Sequence, residues 1–254
     1  MKTFIAFAKK ELLESVRSGR LIVLLAVFVL FGIMNPAIAK LTPWLLDMMA
    51  DELAGSGMTV TEVDVNAITS WVQFFKNIPM ALIVFVCLFG GIFTKEYSSG
   101  TLILILTKGL ARYKIVLAKA LHMLILWSAG YFLCFGITYA YNAYFWDNSI
   151  ANGLFSAVMN WYLFGVLTVS VSVFFSVISK SASSVLIGTG GFVFLSYLLE
   201  MIPSVRKLCP TRLMSTAYIS GGDIPDTSHA LAVAVVISVA CIAVSIPIFN
   251  KKQL

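Results

Sequence analysis

The sequence predicts an all-α membrane protein with six transmembrane helices, an N-terminal amphipathic interfacial helix and both termini in the cytoplasm. Three observations carry this expectation. Of the 254 residues, 59% are hydrophobic and only 12% are charged, whereas soluble domains are roughly a quarter charged. Six apolar stretches, nearly free of charge, fall at 21–39, 78–94, 115–139, 153–178, 184–201 and 230–249. A bilayer core about 30 Å thick takes about 20 helical residues, and each stretch is near that length. Backbone amides in hydrocarbon must bond internally, so each stretch is expected to be a helix. Finally, with the N-terminus inside, thirteen of the 18 Lys and Arg residues fall on the inner side. Only Lys40, Lys76, Arg206, Lys207 and Arg212 fall outside. The positive-inside bias therefore places both ends in the cytoplasm of a multi-pass cell-membrane protein. Residues 1–254 are read as one transmembrane domain, since six spans leave no room for a soluble one.

Residues 1–20 are not a span. Phe4, Ile5, Ala8, Leu12 and Val16 share one helical face, and Lys10, Glu14 and Arg17 share the other. Such a helix is expected to lie in the inner interface, as an anchor or as a lever that docks a partner. The region ahead of the first apolar run is 20 residues long, and the segment is read as retained. Asn35-Pro36 is expected to kink span one late. The first outer loop, 40–77, holds Asp47, Asp51, Glu52, Glu62 and Asp64. Gly55-Ser56-Gly57 marks a turn within it, and 43–53 is a candidate short helix. Trp44, Trp71 and Trp146 fall at outer borders, where indole rings prefer the headgroup layer.

The inner segment 95–112 places the apolar run 103–106 between polar brackets. It is too short to span, so an interfacial or partner-bound helix is expected. A tight turn at 179–183 makes spans four and five an antiparallel hairpin. The outer segment 202–229 is expected to be broken by Pro203, Pro210, Pro225 and Gly221-Gly222. Ser184 and Gly188 in span five, and Ala230, Ala234 and Ser238 in span six, recur at spacing four. Small residues at that spacing let helices approach closely, within the chain or across a dimer seam.

Several functions lose support. The span centres carry no Asp, Glu, Lys or Arg, which ion-coupled transport usually needs. Lys119 and His122 lie in the first turns of span three, where a long side chain is expected to snorkel to the cytoplasm. HExxH and C-x-x-C are absent, and His122 and His229 fall on opposite sides, so neither a metal site nor catalytic residues are expected. The net charge of +6 comes without a basic run interleaved with aromatics, so membrane lipid rather than nucleic acid is the expected neighbour. No G-x-x-x-x-G-K-[ST] loop exists. The chain is therefore not itself an ATPase by that route, and it needs no cofactor of its own.

The order of features nonetheless has a counterpart. A basic amphipathic helix precedes span one. Span two runs into Glu96, Gly100-Thr101-Leu102, 103–106 and Arg112, followed by Leu117-Ala118-Lys119. This layout resembles the ABC type-2 permease family, the membrane half of ATP-binding-cassette exporters, over nearly the whole chain. Its specific part is 93–119. The family often has a proline after the leucine-rich run, where this chain has Gly109.

The resemblance implies a permease dimer, of two copies or of this chain with a paralogue. It also implies a separate cytoplasmic ATPase subunit that binds ATP and Mg. Glu96, Tyr97, Gly100, Thr101, Leu102, Leu104 and Arg112 would form the coupling helix, with Glu96, Lys108 and Arg112 making rim charge pairs and Gly100 allowing close approach. Lys10, Glu14 and Arg17 would act as an N-terminal lever, and Pro203 and Pro210 would belong to an outer gate. The implied activity is export of an apolar or amphipathic substrate: a peptide of the antimicrobial kind, a lipid or a hydrophobic drug. The alternatives are a membrane-embedded lipid-modifying enzyme, which would need clustered Asp, His or Lys at a membrane border, and a non-transporting anchor or sensor.

Overall fold

The computed structural model describes residues 2–55, 65–107 and 109–252. Nine helices are found among them: α1 Lys2–Arg17, α2 Arg20–Gly55, α3 Ala67–Phe89, α4 Thr94–Ser99, α5 Thr101–Thr107, α6 Arg112–Phe145, α7 Leu154–Ile178, α8 Ala182–Glu200 and α9 Ser228–Lys251. Short 3-10 turns occur at Asn148–Ile150, Arg206–Leu208, Pro210–Met214 and Ala217–Ser220. No strand occurs among the described residues. Six helical segments are long and apolar enough to cross a membrane: 20–45, 67–99 and the helices α6 to α9.

The spans are longer than hydropathy alone indicates. α2 runs on to Gly55, through Pro36 and Pro43, so the outer loop does not begin at residue 40 and 43–53 is not a separate helix. Each proline removes one ladder hydrogen bond. Unwinding the chain in hydrocarbon would expose several backbone groups, the larger loss. α3 begins at Ala67 rather than 78, because Asn66 caps it: its side chain accepts from the amides of Ile68 and Thr69 at 3.0 and 3.3 Å. Ser56, Gly57, Glu62 and Asp64 lie outside the described residues, as do the side chains of Asp47, Asp51 and Glu52.

α7 is the most enclosed span, with 67% of its apolar window buried against 17% for α8 and for α9. Phe28, Trp71, Phe74, Phe85, Trp127 and Tyr131 make an aromatic core between α2, α3 and α6. Trp127 fits against α7 only because residue 165 is glycine: a Cβ there would lie 2.1 Å from the indole. Asn77 donates to Asn35 Oδ1 at 2.8 Å, and Asn35 donates to Thr138 Oγ1 at 3.1 Å, a polar tie across α3, α2 and α6.

α7 and α8 form the expected hairpin, with Ser181 capping α8. Ala230, Ala234 and Ser238 are buried, and α9 packs on α7, so that small-residue stripe is used within the chain. Residues 2–17 and 249–252 lie at the same end of the bundle, where Arg112 Nη1 donates to the carbonyls of Phe249, Asn250 and Lys252 at 2.9–3.0 Å. The turns at 148–150 and 206–220 lie at the opposite end, with Trp71 Nε1 donating to Asn148 and Trp161 Nε1 to Met214 O.

Candidate functional site

α1 docks by a face that lies between its apolar stripe and its charged stripe. Phe7, Glu11 and Ser15 are buried, at i, i+4 and i+8. Ile5, Leu12 and Val16 point away from the protein and are exposed. The apolar stripe is therefore left for lipid or a partner. The protein-facing stripe is mixed: Phe7 joins the apolar core, and Glu11 and Ser15 meet polar groups of α4 and α6.

That charge forms a closed ring. Lys119 Nζ on α6 lies 2.9 Å from Glu11 Oε2 and 3.0 Å from Glu96 Oε2. Lys10 Nζ lies 3.0 Å from Glu11 Oε1 and 2.7 Å from Glu96 Oε1. Lys10 also reaches Glu14 at 2.9 Å. Glu11 and Glu96 thus each bridge the same two ammonium groups. The Lys119, Glu11 and Glu96 side chains are 1%, 4% and 6% exposed, whereas Lys10 and Glu14 are about two-fifths exposed. The inner pairs lie in a low-dielectric setting and the outer ones at a wet rim. Burial opposes the Lys10 charge, but hydrogen bonds from its ammonium to Glu96 and Glu14 and the field of Glu11 outweigh it and raise the Lys10 pKa. Burial likewise acts against the Glu14 carboxylate, and its bond with Lys10 holds its pKa below the usual range.

Two expectations change here. Lys119 does not snorkel: its stem is too enclosed, and two carboxylates meet it where it stands. A cluster of Asp, Glu, His or Lys at a membrane border does exist. His122 Nε2 joins it at 2.8 Å from Ser15 Oγ. Glu11, Glu14 and Glu96 also approach one another closely enough to share a cation. The two lysines already hold that position, and the void among these groups is about 10 Å³, room for about one water. The arrangement locks helices together and leaves no space for a substrate.

The rest of the 95–112 segment is also tied down. Gly100 adopts φ +66, with open space where a Cβ would stand, so it ends α4 rather than permitting close approach. Tyr97 donates to Val177 O at 3.1 Å, and Phe93 N donates to Ser176 Oγ at 3.2 Å, seating α4 on the end of α7. Lys252 covers the Tyr97 ring at 3.9 Å and donates to Val177 O at 2.6 Å. It places a cation at the C-terminus of α7, where the helix dipole favours one. Arg112 does the same for α9. Leu102 is 1% exposed and belongs to the core, so it does not face outward as a docking residue would. Lys108 and the Leu104 side chain lie outside the described residues. Arg17, Ser98, Ser99 and Thr101 are exposed at this end.

At the opposite end, Pro210 is buried and opens the 3-10 turn Pro210–Met214, while Pro203 is exposed. The expected break in 202–229 is seen as three 3-10 turns. Sequence reasoning missed the pairing of Lys119 with Glu11 and Glu96. The available signal was that these three are among the few charges bordering apolar helices.

No curated protein matches the chain. One family profile does, over residues 46–254, which takes in Glu96 and Lys119 but not α1; it is described as Protein of unknown function (DUF2705). The chain belongs to the DUF2705 family.

Proposed function

We propose that this chain is the permease subunit of an ATP-driven exporter in the cell membrane, with both termini cytoplasmic. It pairs with a second copy or a paralogue and with a cytoplasmic ATP-binding-cassette ATPase, which carries ATP and Mg. Its cargo is apolar or amphipathic: a peptide, a lipid or a hydrophobic drug. The supporting observation is the shared ion cluster of α1, α4 and α6. It sits at the end where the sequence concentrates Lys and Arg, and it joins two short surface helices to a spanning one. A partner pressing on Ser98, Ser99 or Thr101 moves α4. Glu96, held by Lys119, passes that displacement to α6. Arg17 and Lys9 extend the same exposed surface from α1.

The test is a mild-detergent pull-down from the native membrane. A phosphate-loop ATPase in near-equal amount is expected, and it should be lost from a variant carrying S98D and S99D that still inserts. Ser98 and Ser99 are exposed, whereas Asp at the buried Leu102 would disrupt the core. A monodisperse sample without any ATPase would overturn the reading.

A further inference from the structure

A second feature has no part in that scheme. An apolar cleft of about 500 Å³ opens between α3 and α8 and is backed by α7, within the range of about 300–1,000 Å³ usual for ligand sites. Leu82 and Val86 of α3, Trp161 and Phe164 of α7, and Gly190 and Phe194 of α8 line it. α8 is held by α7 and the turn Pro210–Met214, and it stands off α3. The cleft is thus a slot that reaches the most enclosed helix of the bundle, deeper than the ridges on which ordinary boundary lipid lies.

Tyr197 lines this slot and also a wider cleft of about 750 Å³ at the end of α8. Glu200, Arg206, Lys207 and Arg212 surround the second cleft, three cations against one carboxylate. No ion pair among the described residues engages any of the four. The concentration runs against the charge pattern of the molecule. Only five Lys and Arg residues fall at this end, and three of them lie within 206–212. Of the other two, Lys40 is satisfied over the Phe145 ring at 3.8 Å.

We propose that this composite cleft binds one anionic phospholipid from the leaflet at this end. An acyl chain fills the slot between α3 and α8, and the phosphate sits among Arg206, Lys207 and Arg212. Arginine presents paired donors that match phosphate oxygens, and the apolar slot begins where those donors end. The charge pattern selects an anionic headgroup, and the depth of the slot selects a chain. The site stands whether or not the protein is an exporter.

The experiment is native mass spectrometry of the purified full chain released from nanodiscs of equal phosphatidylglycerol and phosphatidylcholine. Wild-type protein is expected to retain one phosphatidylglycerol with about tenfold preference, the discrimination set by fixed cations near an anionic headgroup. The triple variant R206Q/K207Q/R212Q should lose the preference while eluting as wild type does. The pair R206K/R212K should keep most of it. Gly190 has open space around it, so G190W should fill the slot and eject the lipid with the cations intact. Equal retention of the two lipids by wild type would overturn the proposal, as would an unchanged preference in the triple variant. Full displacement by soluble glycerol phosphate would overturn it too, since the site would then take a phosphate alone.

Discussion

Lys119 is the residue on which the end carrying the chain termini turns. Buried ion pairs add little net stability over a well-packed apolar replacement, but removing one partner strands the rest. K119M leaves Glu11 and Glu96 buried with only Lys10 between them, and is expected to cost about 3–5 kcal/mol. Thermal unfolding in detergent measures this. Adding E11Q and E96Q to K119M should recover most of the loss, because the stranded charges go with it. The rim of the same cluster sets a pH response. The Glu14 pKa is lowered in the fold, so its contribution is present above its unfolded value and lost as pH falls through the folded one. The Lys10 pKa is raised, so its contribution persists below the unfolded value and is lost as pH rises through the folded one. Amide exchange in 2–17, corrected for intrinsic rates, should therefore be slowest near neutrality and rise in both acid and strong alkali. A flat profile would mean that α1 is held by Phe7 and its apolar neighbours instead. The presence of these charges was legible in the sequence and their pairing was not. Residues 11, 96 and 119 are joined by the fold, and no periodicity reports a contact across such distances along the chain.

Among the elements, the centre of each span was legible and its ends were not. Hydropathy reports twenty apolar residues wherever they occur, which located all six helices. It does not report a cap or a continuation. Asn66 starting α3, and the polar end of α2 continuing past Pro43, belong to local hydrogen bonding and helix propensity instead. The face by which α1 meets the bundle was not legible for a related reason. An apolar stripe identifies the core-facing side when the surroundings are water. Beside lipid, that stripe can face outward while the charged side meets buried charge. Packing between elements depends on gaps as much as on contacts. Trp127 of α6 occupies the space that a side chain at 165 would need. G165A is expected to destabilise the protein by about 1–3 kcal/mol, the usual cost of overpacking. G136A has nothing within 4 Å of its Cβ and should be tolerated. Parallel melting curves of the two variants check this; helix propensity favours alanine at both positions, and an equal shift in the two would show that the Trp127 contact does not govern position 165.

At the scale of the whole molecule, six spans of alternating direction divide the surface into two ends with different chemistry. One carries the chain ends, the ion cluster and most of the Lys and Arg. The other carries the proline-broken turns and the three clustered cations of 206–212. The proposed ATPase contact requires the first end to face the cytoplasm, the orientation expected from the positive-inside bias, because ATP is on that side. Ser98 and Ser204 are exposed at the two ends and make the orientation measurable. Each is replaced by cysteine in a background where Cys87, Cys134, Cys209 and Cys241 are alanine. A membrane-impermeant maleimide added to intact cells should then label position 204 and spare 98, with the reverse in inverted vesicles. Labelling of both from one side would break the alternation of the six spans. A clean reversal would keep the fold and move the cluster of α1, α4 and α6 outside the cell. No ATP-driven partner could work there, and the lipid cleft would then face the inner leaflet, where anionic lipids are plentiful and the same three cations would still select them.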